Sequence, residues 1–151
     1  MKIPAEPLVI VRVVIGALFV FSGFQKLMQP SENLLAVIHT YALLPNAAAV
    51  PFSKILPWAE YIAGVFLILG LWTRLSLAIL WLSNTAFIAA LSQALPRKLP
   101  LGACGCFGDA VTLSPKKMLI VDILLWGVFF ILWSRAVRAK PASLDGVFDH
   151  K

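Results

Sequence analysis

The sequence predicts an all-α integral membrane protein, in which four membrane-spanning helices form a bundle and a short interfacial helix lies between the first two. Apolar residues make up 60% of the 151 residues and charged residues only 13%, whereas soluble domains hold roughly 45–50% and 25%. The mean hydropathy is +0.89. This composition excludes a disordered chain, a nucleic-acid-binding arm and an ordinary cytosolic enzyme.

The spans follow from the apolar runs and from the prolines and charges that bound them. Lys2 precedes the first run as in a signal peptide, but the run is too long for a signal-peptide core and no A-x-A site follows it, so we expect a retained span. We place one domain at residues 1–140 and a short polar tail at 141–151. The four spans lie at about residues 8–28, 57–72, 75–95 and 115–134.

The segment between the first two spans predicts a short helix followed by a loop. Residues 33–44 carry apolar side chains at helical spacing but are too few to cross a bilayer, so we expect this helix to lie at the interface or over the mouth of the bundle. Three prolines then break the chain into a loop, and the last of them begins the second span. These are Pro45, Pro51 and Pro57.

Small and mildly polar residues predict contacts between the helices. Gly16 and Gly23 are two turns apart and share one face of the first span, which allows another helix to approach closely. In the third span, a polar run predicts hydrogen bonds between helices. It consists of Ser83, Asn84 and Thr85.

The net charge of +6 indicates a bilayer rather than a nucleic acid as the partner. Most Lys and Arg residues flank the apolar runs, where they anchor in lipid headgroups. Arg12 and Arg74 are expected to be such anchors. Positive charges are divided almost evenly between the two ends of the bundle, so the positive-inside rule does not decide the orientation.

Three charges inside the spans fall on the side of the loop between spans three and four: Lys26, Glu60 and Asp122. Each charge within a span costs about 2.5–3.5 kcal/mol on insertion scales. We predict a Lys26–Glu60 pair, with Asp122 close enough to join it. Two interpretations stay open. In the first, the charges are structural: they form an ion pair that holds the bundle together, or Lys26 snorkels to the headgroups. In the second, they form a polar layer beneath the cysteine loop that moves protons or orients a bound quinone. Glu60 is then the candidate proton carrier.

The same loop contains the chain's two cysteines, Cys104 and Cys106, separated by one glycine. Thiol exchange needs a thiolate and a second sulfur to resolve the mixed disulfide, and this pair can supply both. Soft-metal capture, such as Cu(I) by two thiolates, and a static bridge or packed turn are the other interpretations. We assign no metal site, since no dense set of further ligands accompanies the pair.

Motifs along nearly the whole chain resemble the MauE/DoxX family of small bacterial membrane proteins, and its MauE branch more closely. The first span contains the pattern Arg12-x3-Gly16-x2-Phe19-x3-Gly23-x2-Lys26. The second contains Leu56-Pro57-Trp58-x-Glu60-x3-Gly64. The most specific motif is in the loop: Cys104-Gly105-Cys106-Phe107-Gly108.

The resemblance implies a four-helix protein of the bacterial inner membrane with a role in redox maturation of exported proteins. In the MauE branch, this means helping a disulfide-rich periplasmic subunit of methylamine metabolism to acquire its bridges, often beside a thioredoxin-like partner. The DoxX branch is associated with quinone-linked sulfur oxidation. The resemblance also implies cytoplasmic termini and a periplasmic cysteine loop, whose oxidising surroundings suit the pair.

We therefore expect a thiol–disulfide oxidoreductase in which Cys104 and Cys106 exchange electrons with a thioredoxin-like or disulfide-rich exported protein. A quinone near Lys26, Glu60 and Asp122 is the expected electron acceptor. Because quinone-coupled disulfide generators use two cysteine pairs and this chain has one, a second hypothesis stays open, that of a non-catalytic subunit or assembly factor that docks a redox partner. Copper handling is the third.

Overall fold

The computed structural model describes residues 5–41, 45–96 and 115–138, and these form five α-helices. The helices are α1 (Ala5–Met28), α2 (Ser31–Tyr41), α3 (Asn46–Leu69), α4 (Thr73–Ala94) and α5 (Pro115–Arg138). Four of them, α1, α3, α4 and α5, are long and apolar enough to cross a membrane. The predicted all-α bundle of a multi-pass membrane protein is confirmed. Cys104, Cys106 and the tail 141–151 lie outside the described residues.

The second membrane helix differs from the prediction at both ends. α3 begins at Asn46 and continues through Pro51 and Pro57, so the predicted loop at these prolines is wrong. In lipid, a proline inside a helix is tolerated where neighbouring groups satisfy the freed carbonyls, whereas an irregular loop exposes more unpaired backbone. At its other end α3 stops at Leu69 because Gly70 adopts the left-handed conformation, with φ 72°.

The short helix α2 is confirmed, although it begins earlier than predicted and runs from Ser31 to Tyr41. Its buried residues Leu34 and Ile38 cluster with Ala49 at the start of α3, and Phe52 packs against them. α2 therefore covers one end of the bundle and is held there by apolar contact with α3.

The bundle core receives two buried side chains from each membrane helix. An edge-to-face contact between Phe19 and Phe129, with ring centroids 5.6 Å apart, joins α1 to α5. Large apolar side chains on the outer faces are exposed, as expected of helices that face lipid. The core consists of Ile15, Phe19, Ala63, Leu67, Leu77, Leu80, Phe129 and Leu132.

The predicted small face of α1 is where α3 approaches most closely. A Cβ atom built at Gly64 would lie 2.9 Å from the carbonyl oxygen of Gly16 and 2.9 Å from the backbone nitrogen of Val20. A Cβ atom at Gly23 would lie 2.8 Å from the backbone nitrogen of Tyr61. Such distances leave no room for a side chain, so these glycines allow the backbones of the two helices to touch.

These contacts also give the helix directions. Early residues of α1 meet late residues of α3, so the two helices are antiparallel. We call the end of the bundle that holds α2, the end of α4 at Ala94 and the start of α5 at Pro115 the loop-side end. The segment with Cys104 and Cys106 connects α4 to α5 there.

The two predicted arginine anchors differ in the structure. Arg74 is exposed at the start of α4. Arg12 is only 8% exposed, so its assignment as an interfacial anchor is wrong. It lies one turn before Gly16, and residues four apart share a helix face, so Arg12 belongs to the side of α1 that packs on α3.

The glycine contact yields a stability prediction. We expect Gly64→Ala to lower the free energy of unfolding by about 1–3 kcal/mol, because overpacking pushes α1 and α3 apart. Gly127→Ala in α5 is the matched control, since no atom lies within 4 Å of the position of its Cβ. This control gains up to about 1 kcal/mol from reduced chain entropy. Unfolding of both variants in the same detergent measures the difference, and equal stability contradicts the proposed contact.

Candidate functional site

The predicted Lys26–Glu60 pair is present, and it is buried in the interior of the bundle, near the middle of α3 and α4. The Lys26 Nζ lies 2.6 Å from Glu60 Oε2, and the side chains are 2% and 0% exposed, respectively. Lys26 comes from the last turn of α1, and Glu60 comes from the middle of α3. The pair therefore ties these two membrane helices together inside the bundle.

Two serines complete the hydrogen bonding of the pair. The Lys26 Nζ also donates to Ser22 Oγ at 3.1 Å, and Ser22 Oγ donates to Glu60 Oε2 at 3.5 Å. From α4, Ser83 Oγ donates to Glu60 Oε1 at 2.6 Å. Both carboxylate oxygens thus accept hydrogen bonds, and three helices contribute to one network.

The ammonium group of Lys26 has an aromatic neighbour as well. Its Nζ lies 4.6 Å from the centroid of the Phe87 ring on α4. A cation over a ring face is attracted by the negative face of the π system, and the attraction is stronger where water is excluded. Phe87 is therefore the third partner of the Lys26 ammonium group, after Glu60 and Ser22, and it comes from the same helix as Ser83.

Asp122 is buried on α5, with 2% of its surface exposed. The Nδ2 of Asn84 donates to the backbone carbonyl oxygen of Asp122 at 2.9 Å, and Asn84 follows Ser83 in α4. Two adjacent residues of α4 thus bond to α3 and α5. A direct approach of the Asp122 carboxylate to the pair stays a prediction.

Part of this site was missed in the sequence. Ser22 lies four residues before Lys26, and that spacing alone places both on one face of α1. Ser83 and Asn84 were expected to bond between helices, which is confirmed, but the partner of Ser83 depends on the register of α4 against α3. Thr85 was expected to do the same and instead donates to the carbonyl of Trp81 in its own helix, at 2.7 Å.

An apolar cavity of about 270 Å³ lies beside the network, between α2, α3 and α4. Ser83 is the one polar side chain among the described residues that line it. Ser83 therefore both lines the cavity and bonds through its hydroxyl to Glu60. The apolar lining includes Leu34, Ile38, Phe52, Leu56, Phe87 and Ala90.

The pair is expected to matter for stability mainly when only one partner is removed. A buried charge left without its counter-charge costs about 3–5 kcal/mol, whereas removing both charges is often close to neutral. We therefore expect Lys26→Met and Glu60→Gln each to destabilise the protein strongly, and the double variant Lys26→Met/Glu60→Gln to be more stable than either. A double-mutant cycle of unfolding in detergent tests this, and additive losses would mean that the two charges do not interact.

The comparison with known families agrees with this architecture. The family model described as methylamine utilisation protein MauE matches residues 5–136, which include almost all of the five helices. No curated protein and no solved structure matches the chain. The match concerns the MauE branch of the predicted resemblance, and the DoxX branch stays a prediction. The chain belongs to the MauE family of membrane proteins.

Proposed function

We propose that the protein is a membrane thiol–disulfide redox protein that serves the maturation of exported proteins. Cys104 and Cys106 are its reactive pair, and a thioredoxin-like or disulfide-rich exported protein is its partner. The observation that carries the proposal is the buried Lys26–Glu60 network inside the bundle, in a chain whose two cysteines lie in the segment that joins α4 to α5. Ionisable groups inside a membrane are costly to keep and commonly mark proton or ligand pathways.

Thiol–disulfide exchange proceeds by two displacements. A partner thiolate attacks one sulfur of the Cys104–Cys106 bridge, so a mixed disulfide forms and the other cysteine leaves as a thiolate. A second partner thiolate then attacks the mixed disulfide. The partner gains a disulfide, and the pair is left as two thiols, which hold two electrons and two protons more than the bridge.

The reduced pair must pass on those two electrons and two protons before it can react again. A membrane quinone is the proposed acceptor, because it takes up two electrons and two protons on becoming a quinol. The residues present fit such a group: an apolar cavity of about 270 Å³ borders the polar network, and Lys26 and Glu60 contact its lining residues Phe87 and Ser83. Asp122 is the third proposed residue. Glu60 is the proposed proton carrier, and Lys26 holds its charge in place when it is ionised.

The proposed location is the bacterial inner membrane, with both termini in the cytoplasm and the cysteine loop in the periplasm. Four membrane helices bring the two ends of the chain to the same side. The loop-side end then faces the opposite compartment, and an oxidising periplasm suits a cysteine pair that cycles through a disulfide. The methylamine utilisation named by the family is the proposed setting.

The test replaces the reactive pair in the full chain. In cells of the native host, we expect Cys104→Ser/Cys106→Ser to abolish the contribution of this protein to disulfide formation, because no sulfur remains to exchange. Alkylation of free thiols followed by mass spectrometry of exported proteins measures the loss against wild type. Equal amounts of both chains in the membrane are the control. Unchanged disulfides with the double variant would contradict thiol exchange and favour a docking subunit.

A further inference from the structure

We propose that the cavity between α2, α3 and α4 binds the ring of a quinone or quinol, and that Ser83 contacts its oxygen. The choice of ligand class rests on the proposed function. The site itself goes beyond it, because Ser83 lines the cavity, whereas the predicted residues Lys26, Glu60 and Asp122 are not among the residues that line it. Ser83 is thus the binding residue, and Glu60 acts through it.

The size and position of the cavity suit the ring rather than a whole lipid. Its volume of about 270 Å³ is slightly below the range of drug-sized ligand pockets, about 300–1,000 Å³, so it suits a single ring. Ala86 and Ala89 line it and are exposed on α4. Both lie within the membrane span Thr73–Gln93, so the mouth opens to the bilayer. A ring can enter from the membrane while its apolar tail stays among the lipid chains.

The hydroxyl of Ser83 can offer a bound ligand a hydrogen-bond acceptor, but no hydrogen while it donates to Glu60. Ser83 is 6% exposed, and its single hydrogen is donated to Glu60 Oε1 at 2.6 Å. A serine hydroxyl has two further acceptor sites. A ligand hydroxyl can therefore donate to Ser83 Oγ while Ser83 donates to Glu60, which gives a continuous hydrogen-bonded path from the cavity to the carboxylate.

The path can also carry a proton in the direction that the proposed function requires. When the Glu60 carboxyl holds a proton, it can donate that proton to Ser83 Oγ, and Ser83 can release its own hydrogen to the ligand oxygen. One proton moves from Glu60 to the ligand, and Ser83 regains a neutral hydroxyl. The two electrons come from the thiols of Cys104 and Cys106, as in the exchange described above. These thiols also release two protons: one replaces the proton that Glu60 donated, and the other goes to the second oxygen of the ligand.

Phe87 favours an aromatic ring over an aliphatic chain as the ligand. Its ring lines the cavity and can pack against a bound ring. The Lys26 Nζ lies 4.6 Å from the centroid of the same ring. Because the Lys26 ammonium is already paired with Glu60 at 2.6 Å, Phe87 selects for a ring, and the contact to the ligand oxygen is left to Ser83.

The test measures binding to the full chain in nanodiscs, with Cys104→Ser/Cys106→Ser as the background so that no thiol chemistry contributes. The probe is decylubiquinol, kept reduced, whose hydroxyl can donate to Ser83 Oγ. Decylbenzene, which has the tail and a ring but no oxygen, is the comparison. We expect saturable binding of decylubiquinol and about tenfold weaker binding of decylbenzene, since one hydrogen bond accounts for about that factor.

Two variants locate the site, each with a matched control. Ala90→Leu fills the cavity and should abolish binding, whereas Ala36→Leu, exposed on α2 outside the lining, should not change it. Ser83→Ala should weaken binding about tenfold through the lost hydrogen bond. Ser76→Ala, which removes another buried serine of α4 outside the lining, should leave the affinity unchanged.

Wild-type affinity in Ala90→Leu would overturn the cavity as the site, and wild-type affinity in Ser83→Ala would overturn the role of the serine. Equal binding of decylbenzene would show an apolar pocket that any lipid chain can fill. The proposed function fails separately. Binding that follows these variants, in a protein whose Cys104 and Cys106 do not respond to quinone, leaves the site in place and removes the redox function.

Discussion

The buried ion pair between Lys26 and Glu60 is the interaction on which the arrangement of α1, α3 and α4 depends. Two charges held 2.6 Å apart inside a membrane are stable only if the surrounding helices exclude water and satisfy the remaining donors and acceptors. The glycine contact between α1 and α3 brings the two side chains within reach. Ser83 on α4 then donates a hydrogen bond to the other carboxylate oxygen of Glu60, and α2 packs against the start of α3.

The same constraint explains why a cavity lies where it does. Ser83 must face Glu60, and a small side chain at this position leaves room beside it that the neighbouring alanines of α4 do not fill. The result is an apolar space with one hydroxyl in its wall and a carboxylate directly behind that hydroxyl. A pair that only held the helices together would need no such access. The combination of a buried carboxylate with a membrane-facing space favours a site that exchanges protons with a membrane-soluble ligand.

The features that could be predicted from the sequence are those that local patterns in the chain determine. The four apolar runs, the short helix α2, the small face of α1 and the Lys26–Glu60 pair were all predictable, because length, periodicity and the side of the membrane decide them. The start of α3 was not, since rules for proline come largely from helices in water, where a loop costs less than it does in lipid. The bond from Ser83 and the cavity depend on the register between helices, which no local pattern in one chain contains.

The most direct measurement of the central claim is a redox titration of Cys104 and Cys106 in nanodiscs, with and without added quinone, read by alkylation and mass spectrometry. The account predicts a reversible two-electron couple that quinone drives to the disulfide. It also predicts that Cys104 and Cys106 of the variant Lys26→Met/Glu60→Gln still form and break their disulfide reversibly, but that quinone no longer oxidises them rapidly. A pair that stays fully reduced or fully bridged over the accessible range of potentials, whatever quinone is present, would contradict electron transfer through this protein.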